Sequence, residues 1–309
     1  MNSPSSVAII LLNWNGYQDT FECLKSLECL TYPNFHVFVV DNASTDDSYS
    51  KFIKDQEGDT FKLPLTFIQS GSNLGCAGGN NVGIRTAYEQ GFDYYWMLNN
   101  DTYVEPEALS KLVEVIDDDE QVGIVGSKIY NINNNLLWFA GGTINPYLGT
   151  SRPIGINEKD YGQYDKMKEV DFIVGCSMLF RKELIQKIGF LDEDYFIYYE
   201  DTDWNLKAKR AGMKIVYVPS SIIHHKESSS TKSADLSPYY AYYLMRNGYL
   251  MVCRNNAKYK WLAFMYIFIR IIKFHILYVL NCDNKLKRSS MIIKGAIHGI
   301  KNKKGQYIN

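Results

Sequence analysis

The sequence predicts an α/β fold: a mostly parallel sheet, wound in both directions, with helices over both faces. Three observations carry this prediction. Strand and helix signals alternate as βαβαβαβ through the first hundred residues. The strand segments are continuous apolar runs, the pattern of strands buried on both faces. Three of them also stop abruptly at polar groups: "VAIILL" runs into "NWNG", "HVFVV" into "DNASTD", and "YYWML" into "NND". In doubly wound sheets ligands sit beyond the carboxyl ends of the strands, where strand order switches. The three polar ends are therefore expected to face one crevice.

Taken in order, residues 7–12 read as the first strand, "DTFECLKSL" as a helix and residues 36–41 as the second strand. Helix "DDSYSKFIKD" follows, with Ser44 and Asp46 as residues of N-capping type. Strand "LTFIQS", helix "GNNVGIRTAYEQ" and strand "DYYWML" complete the alternation, and Pro106 opens the helix "PEALSKLVEVI". Residues 127–168, rich in Asn, Gly and Tyr, predict loops and short strands around a polar ligand. "VDFIVGCSMLF" returns as a buried strand or strand–helix junction. A further helix starts with Glu200, Asp201 and Asp203 in its first turn and is ended by Gly212. Strand "KIVYV", stopped by Pro219, precedes His224 and His225.

With 309 residues and 46% hydrophobic content, the chain can bury one large core with an appendage, which excludes disordered and collagen-like classes. The six cysteines show neither CxxC pairs nor Cys/His metal spacing, so reduced thiols are expected rather than a disulfide framework or a zinc site. The first residues lack a basic stretch, and the apolar run at 7–12 is too short for a leader or a span, so a cytoplasmic catalytic part is expected.

Two acids stand out at strand ends, Asp41 and Asp101; the competing role for each is a turn or cap. "NLGCAGGNNVG" (73–83) is a glycine-rich loop entering a helix, which lets backbone N–H groups approach a phosphate-bearing ligand. It lacks the GxGxxG order, and no Walker signature exists in the chain. At the second acidic cluster, first-turn acids gain about 0.3–1 kcal/mol from the helix dipole, which accounts for Asp203 better than for Asp201. The aromatic approach "YFIYY" would desolvate the first acids and suit one of them to proton transfer. One of the two histidines is expected to be structural, while the other could reach a metal held by Asp101.

The ordered set "NWNG", "VDNASTD", "NLGCAGGNNVG", "MLNND", "VGCSMLFRKEL", "GFLDEDYFIYYEDTDWNLKAKRAG" and "VPSSIIHHK" resembles family 2 glycosyltransferases of the GT-A fold, in particular their rhamnosyltransferase-like branch. The resemblance is collinear over roughly residues 7 to 230. It implies a GT-A α/β/α sandwich and an inverting transfer of a sugar from a nucleotide-diphosphate donor, assisted by a divalent cation, Mg2+ or Mn2+. By position, Asp41 matches the residue that hydrogen-bonds a pyrimidine base, with Asn13 and Trp14 at the wall of the pocket. Asn73, Gly75 and Asn81 match the donor-lining loop. Asn99, Asn100 and Asp101 stand at the DxD motif, with Asn in the first place, so Asp101 is the carboxylate left for the metal. Asp201, paired with Glu200, matches the general base. His225 matches the histidine near the metal and diphosphate, with His224 as the alternative. The implied donors are dTDP-rhamnose or a UDP-hexose, and the implied acceptor is a hydroxyl of a cell-surface glycan or lipid-linked precursor. A catalytically silent nucleotide- or glycan-binding subunit is the rival reading, but such members are expected to lose the base or the metal acid, and both are present.

From Arg254 onward the chain carries 12 Lys and Arg against one acid, Asp283, which leaves 21 basic and 33 acidic residues before it. No RNA or DNA module accompanies this basic tail, so nucleic acid is not an expected partner. Its apolar segment, residues 261–280, has the length of a span, but Arg270 and Lys273 each cost about 2.5–3.5 kcal/mol mid-membrane, which brings spanning near break-even. A helix folded back on the main domain and a helix lying in the interface both avoid that cost. The charge of the tail favours an anionic membrane surface. The expected organisation is a catalytic domain over 1–228 and a helical, basic, membrane-associating region over 229–309, peripheral on the inner face of the cell membrane.

Overall fold

A computed structural model of the chain describes residues 3–226, 237–280 and 284–308. The domain boundary expected at 228/229 lies outside the described residues. The alternation read from the sequence is present: β1 (Val7–Asn13), α1 (Tyr17–Leu27), β2 (Phe35–Asp41), α2 (Ser48–Glu57), β3 (Leu65–Gln69), α3 (Gly75–Gln90) and β4 (Tyr94–Asn99). β1 lies between β2 and β4, and β2 pairs β3, all in parallel. The chain therefore winds one way through β2 and β3 and the other way through β4. The switch lies at the carboxyl ends of β1 and β4, where Leu12 is in register with Asn99 and Asn13 with Asp41.

Beyond β4 the sheet becomes mixed. β5 (Thr102–Val104), α4 (Ala108–Asp118) and β6 (Val122–Asn131) are followed by β7 (Leu137–Phe139), the hairpin of β8 (Gly142–Asn145) and β9 (Thr150–Pro153), and β10 (Lys168–Glu169). β11 (Ser177–Arg181) runs antiparallel between β4 and β6, and α5 (Lys182–Ile188) and α6 (Glu200–Arg210) lead to β12 (Lys214–His225). Among the described residues ten strands form one sheet. Its two faces bury Ile9, Phe38, Trp96, Phe180 and their neighbours, giving the α/β/α layers expected.

Residues 170–180 carry the strand–helix junction that was one of the two expected forms: the strand begins at Ser177 and runs straight into α5, because Gly175 and Cys176 turn out of the sheet to meet α6 and Asn99. One expectation is corrected. Pro219 does not stop the last strand: β12 continues to His225, with a register shift between Val218 and Ile222 that takes up the proline. Proline lacks the ladder N–H and is tolerated in a strand where a bulge interrupts pairing.

Three helices follow: α7 (Pro238–Asn255), α8 (Lys260–Phe274, continued as a π-helix over His275–Leu280) and α9 (Lys285–Ile300). α7 packs on the loop before α6, with Leu250 and Met251 against Tyr195 and Tyr199. α8 folds back on the domain with Ala263, Ile267, Arg270 and Phe274 inward. Arg270, the residue that made a span costly, is buried in protein, donating to Leu244 O at 2.6 Å, with Tyr199 Oη at 3.4 Å. Among the described residues no helix is long and apolar enough to cross a membrane.

Candidate active site

The end of each parallel strand delivers its polar group to one floor. Asn13 Nδ2 donates to Asp41 Oδ1 at 2.8 Å, and its Oδ1 accepts from Thr20 Oγ1 at 2.9 Å and from Asn100 Nδ2 at 3.5 Å. Asp41 is 1% exposed and also accepts from Ser44 Oγ (2.6 Å), Ser44 N (3.0 Å) and Gln69 Nε2 (2.9 Å). Both residues thus brace the crevice floor, and Ser44, read as a cap, serves Asp41 instead. Trp14, just past β1, and Asn99, the last residue of β4, are exposed at the rim.

The glycine-rich loop closes the next side. Asn73 Oδ1 accepts from Gly75 N at 2.9 Å, and Gly75 begins α3 with φ +72°. A Cβ there would lie 2.2 Å from Phe196 O, so glycine lets the loop touch the segment that leads to the second acids. Asn81 supports this wall from inside: it is 1% exposed, donates to Leu191 O and Glu193 Oε1, and accepts from Leu191 N.

Asp101 and His225 meet because β5 pairs antiparallel with β12, setting Thr102 opposite His225. Asp101 is 6% and His225 1% exposed, with His225 Nε2 3.1 Å from Asp101 Oδ1. The approach is not aligned as a hydrogen bond, and neither ring nitrogen of His225 makes one. His224 points to the other face of the strand, as successive strand residues must, with its Nε2 3.1 Å from Glu105 Oε1. Of the two, only His225 faces Asp101. A buried carboxylate and an unbonded buried imidazole facing each other fit a divalent cation. Two protein ligands suffice where substrate phosphate oxygens complete the shell, and among the described residues no larger His/Cys/Asp/Glu group exists.

Glu200 and Asp201 open α6. Asp201 Oδ2 accepts from Gly175 N at 3.0 Å and its Oδ1 from Thr202 Oγ1 at 3.1 Å. The neighbouring Cys176 O accepts from Asn99 N at 3.0 Å, so the Gly175–Cys176 turn ties Asp201 to the end of β4. Burial raises the carboxyl pKa of Asp201 against these donors. Burial and then the charge of Asp201 push Glu200 up, and Glu200 Oε2 has no hydrogen-bond partner. Burial thus raises both carboxyls, Glu200 further through the charge of Asp201, while the donors around Asp201 favour its ionised form. Both acids raise the thiol pKa of Cys76, after burial, which sets them beside the start of α3.

A cleft of about 520 Å³ opens at the two acids, walled by Trp138, Phe172, Glu200, Asp201, Tyr266 and Lys273. Trp138 also stands edge-on to the His225 ring, 4.5 Å between centroids, so the Asp101–His225 pair adjoins the cleft that holds Asp201. A second hollow of about 590 Å³ around Lys128 and Asp160 holds none of the sequence-predicted site residues. Sequence reasoning missed Trp138, Gly175 and the α8 wall. Trp138 lies in the Asn-, Gly- and Tyr-rich region expected around a ligand, which was the available signal; a backbone N–H such as that of Gly175 leaves none.

Residues 6–189 match the family model described as Glycosyl transferase family 2. The low-salt glycan biosynthesis hexosyltransferase Agl10 of Haloferax volcanii is 26% identical over 97% of this chain and 92% of its own length. The dTDP-rhamnosyl transferase RfbF of Shigella flexneri is 25% identical over 82% of each chain. The mannosyltransferase PcManGT of Pyrobaculum calidifontis, solved with GDP-Man and Mn2+, superposes with a TM-score of 0.61 at 16% identity, covering 97% of this chain and 90% of that one.

Proposed function

The chain belongs to glycosyl transferase family 2 and is a glycosyltransferase of the GT-A fold; from that premise we propose that it transfers a hexose or deoxyhexose with inversion, using Asp201 as general base and a divalent cation at Asp101 and His225. The observation that carries this reading is that the buried Asp101–His225 pair abuts, through Trp138, the cleft lined by the raised Asp201 carboxyl. dTDP-rhamnose and UDP-hexoses are the proposed donors, the first favoured by the likeness to RfbF. Trp14 and Asp41 would take the base, with Asp41 exchanging one of its present donors for the pyrimidine, and the loop at Asn73 and Gly75 would line the diphosphate.

The chemistry is one displacement. Asp201 takes the proton of an acceptor hydroxyl as its oxygen bonds to C1 of the sugar; the C1–O bond to the diphosphate breaks, and the nucleotide diphosphate leaves with the electron pair. A cation bound at Asp101 and His225 would supply charge neutralisation to that leaving group. Glu200, protonated beside Asp201, keeps a second negative charge out of the cleft, and the aromatic walls exclude water.

The acceptor is a glycan or lipid-linked hydroxyl, reached from an anionic membrane surface. α8 supports this: Trp261, Met265, Phe268, Ile269 and Ile272 are exposed on the side opposite its packed face. At about 100° per residue they share an arc with Phe264, and Lys260 and Lys273 fall just outside its two edges, where their stems can reach along the apolar stripe. Incubation with a panel of dTDP-, UDP- and GDP-sugars and Mn2+ tests the enzymatic reading; release of nucleotide from at least one donor is expected, and silence across the panel refutes it.

A further inference from the structure

The loop that delivers Glu200 and Asp201 has a backbone its residues resist. Phe196, Tyr198 and Tyr199 have φ of 66°, 63° and 79°, a region that aromatic residues occupy only when their surroundings hold them there. What holds them is α7, about fifty residues later. Asn247 Nδ2 donates to the carbonyls of Tyr195 (3.1 Å), Ile197 (2.8 Å) and Tyr198 (2.7 Å). Arg246 Nη2 donates to Tyr195 O at 2.8 Å, and its Nε donates to Asn247 Oδ1 at 2.8 Å, which fixes the side of the amide that faces the loop. Both side chains are fully buried, with their polar groups directed at the backbone just before α6.

The next residue continues the contact. A Cβ on Gly248 would lie 2.8 Å from Gly149 O and 3.0 Å from Tyr199 Oη, and Tyr199 Oη itself donates to Gly149 O at 2.8 Å. "RNG" at 246–248 thus forms a mould around the residue that precedes Glu200. A guanidinium and an amide without a carboxylate partner are costly to bury, and apolar side chains would serve packing alone better.

We propose that Arg246 and Asn247 are positioning residues, which hold the left-handed loop 196–199 and so direct the Asp201 carboxylate into the cleft. This rests on Asp201 being the base. Asn247→Ala in the full chain tests it, with Asp201→Asn alongside. Turnover of Asn247→Ala should fall about ten- to a hundred-fold, as expected for a displaced catalytic group. The calorimetric Kd for the nucleotide sugar with Mn2+ should change much less than turnover, since the loop held by Asn247 meets the donor-lining loop only where Phe196 backs Gly75 and Ala77. The acidic limb of the pH–rate profile should move down as water reaches Asp201, and Asn247→Gln should recover part of the loss. If Asn247→Ala does not fold, Arg246→Lys carries the same measurements. Full turnover in a folded variant, or a loss shared by donor affinity with the acidic limb unmoved, would overturn the proposal. Full turnover by Asp201→Asn would instead sink the base assignment.

Discussion

At the residue scale, two adjacent carboxyls have unlike surroundings, and the proposed division of work between them follows from that. Asp201 is held by the Gly175 N–H and by Thr202, whereas Glu200 Oε2 is buried without a donor. A carboxyl whose pKa is raised on folding takes up a proton in the window between its ordinary and its raised value, so stability falls as pH rises through that window. Glu200→Gln removes this penalty. Its melting temperature relative to the parent chain should therefore rise as pH climbs from 5 towards 9, and a constant difference across that range would contradict the assignment. Because Asp201 is also raised, turnover should increase with pH along an acidic limb lying above the ordinary aspartate value of 3.8. At the other end of the cleft, Asp101→Ala should abolish the gain in donor affinity that Mn2+ gives to the parent chain, read by calorimetry with and without the ion. Equal gain in both would mean that the cation is held elsewhere.

At the element scale, the strand ends were legible and the connections between distant segments were not. Apolar runs broken by Asn13, Asp41 and Asn99 announce parallel strands with a polar crevice, because polar groups at the end of a buried strand need something to face. Pro219 misled, since a bulge absorbs a proline that regular pairing could not. α7 was not singled out in the sequence: Arg246 and Asn247 belong to no motif, and their carbonyl partners are about fifty residues away. α8 was legible in part. Its hydropathy suggested a membrane helix and Arg270 argued against a span, but only the fold reveals that one apolar face packs while the other stays exposed. Phe268→Asp with Ile272→Asp should lower affinity for phosphatidylglycerol-containing vesicles by at least about ten-fold, given the apolar burial lost. The melting temperature should hardly change, because both side chains are exposed; unaltered flotation with vesicles would refute the membrane reading of this face.

At the scale of the whole molecule, the site is assembled from distant parts of the chain. The βα units up to β4 provide the polar floor, the β5–β12 pairing brings His225 to Asp101, and the C-terminal helices pack on the loop before Asp201 and wall its cleft. The family match ends at residue 189, before Glu200, Asp201 and His225. For that reason the later half of the site was readable from the resemblance of short motifs and its geometry only from the fold. The most direct test is the turnover of Asp201→Asn at saturating donor and Mn2+. A fall of about 10²–10⁴-fold with unchanged donor affinity is expected from loss of a general base. Turnover within a few-fold of the parent chain would mean that the proton leaves the acceptor by another route.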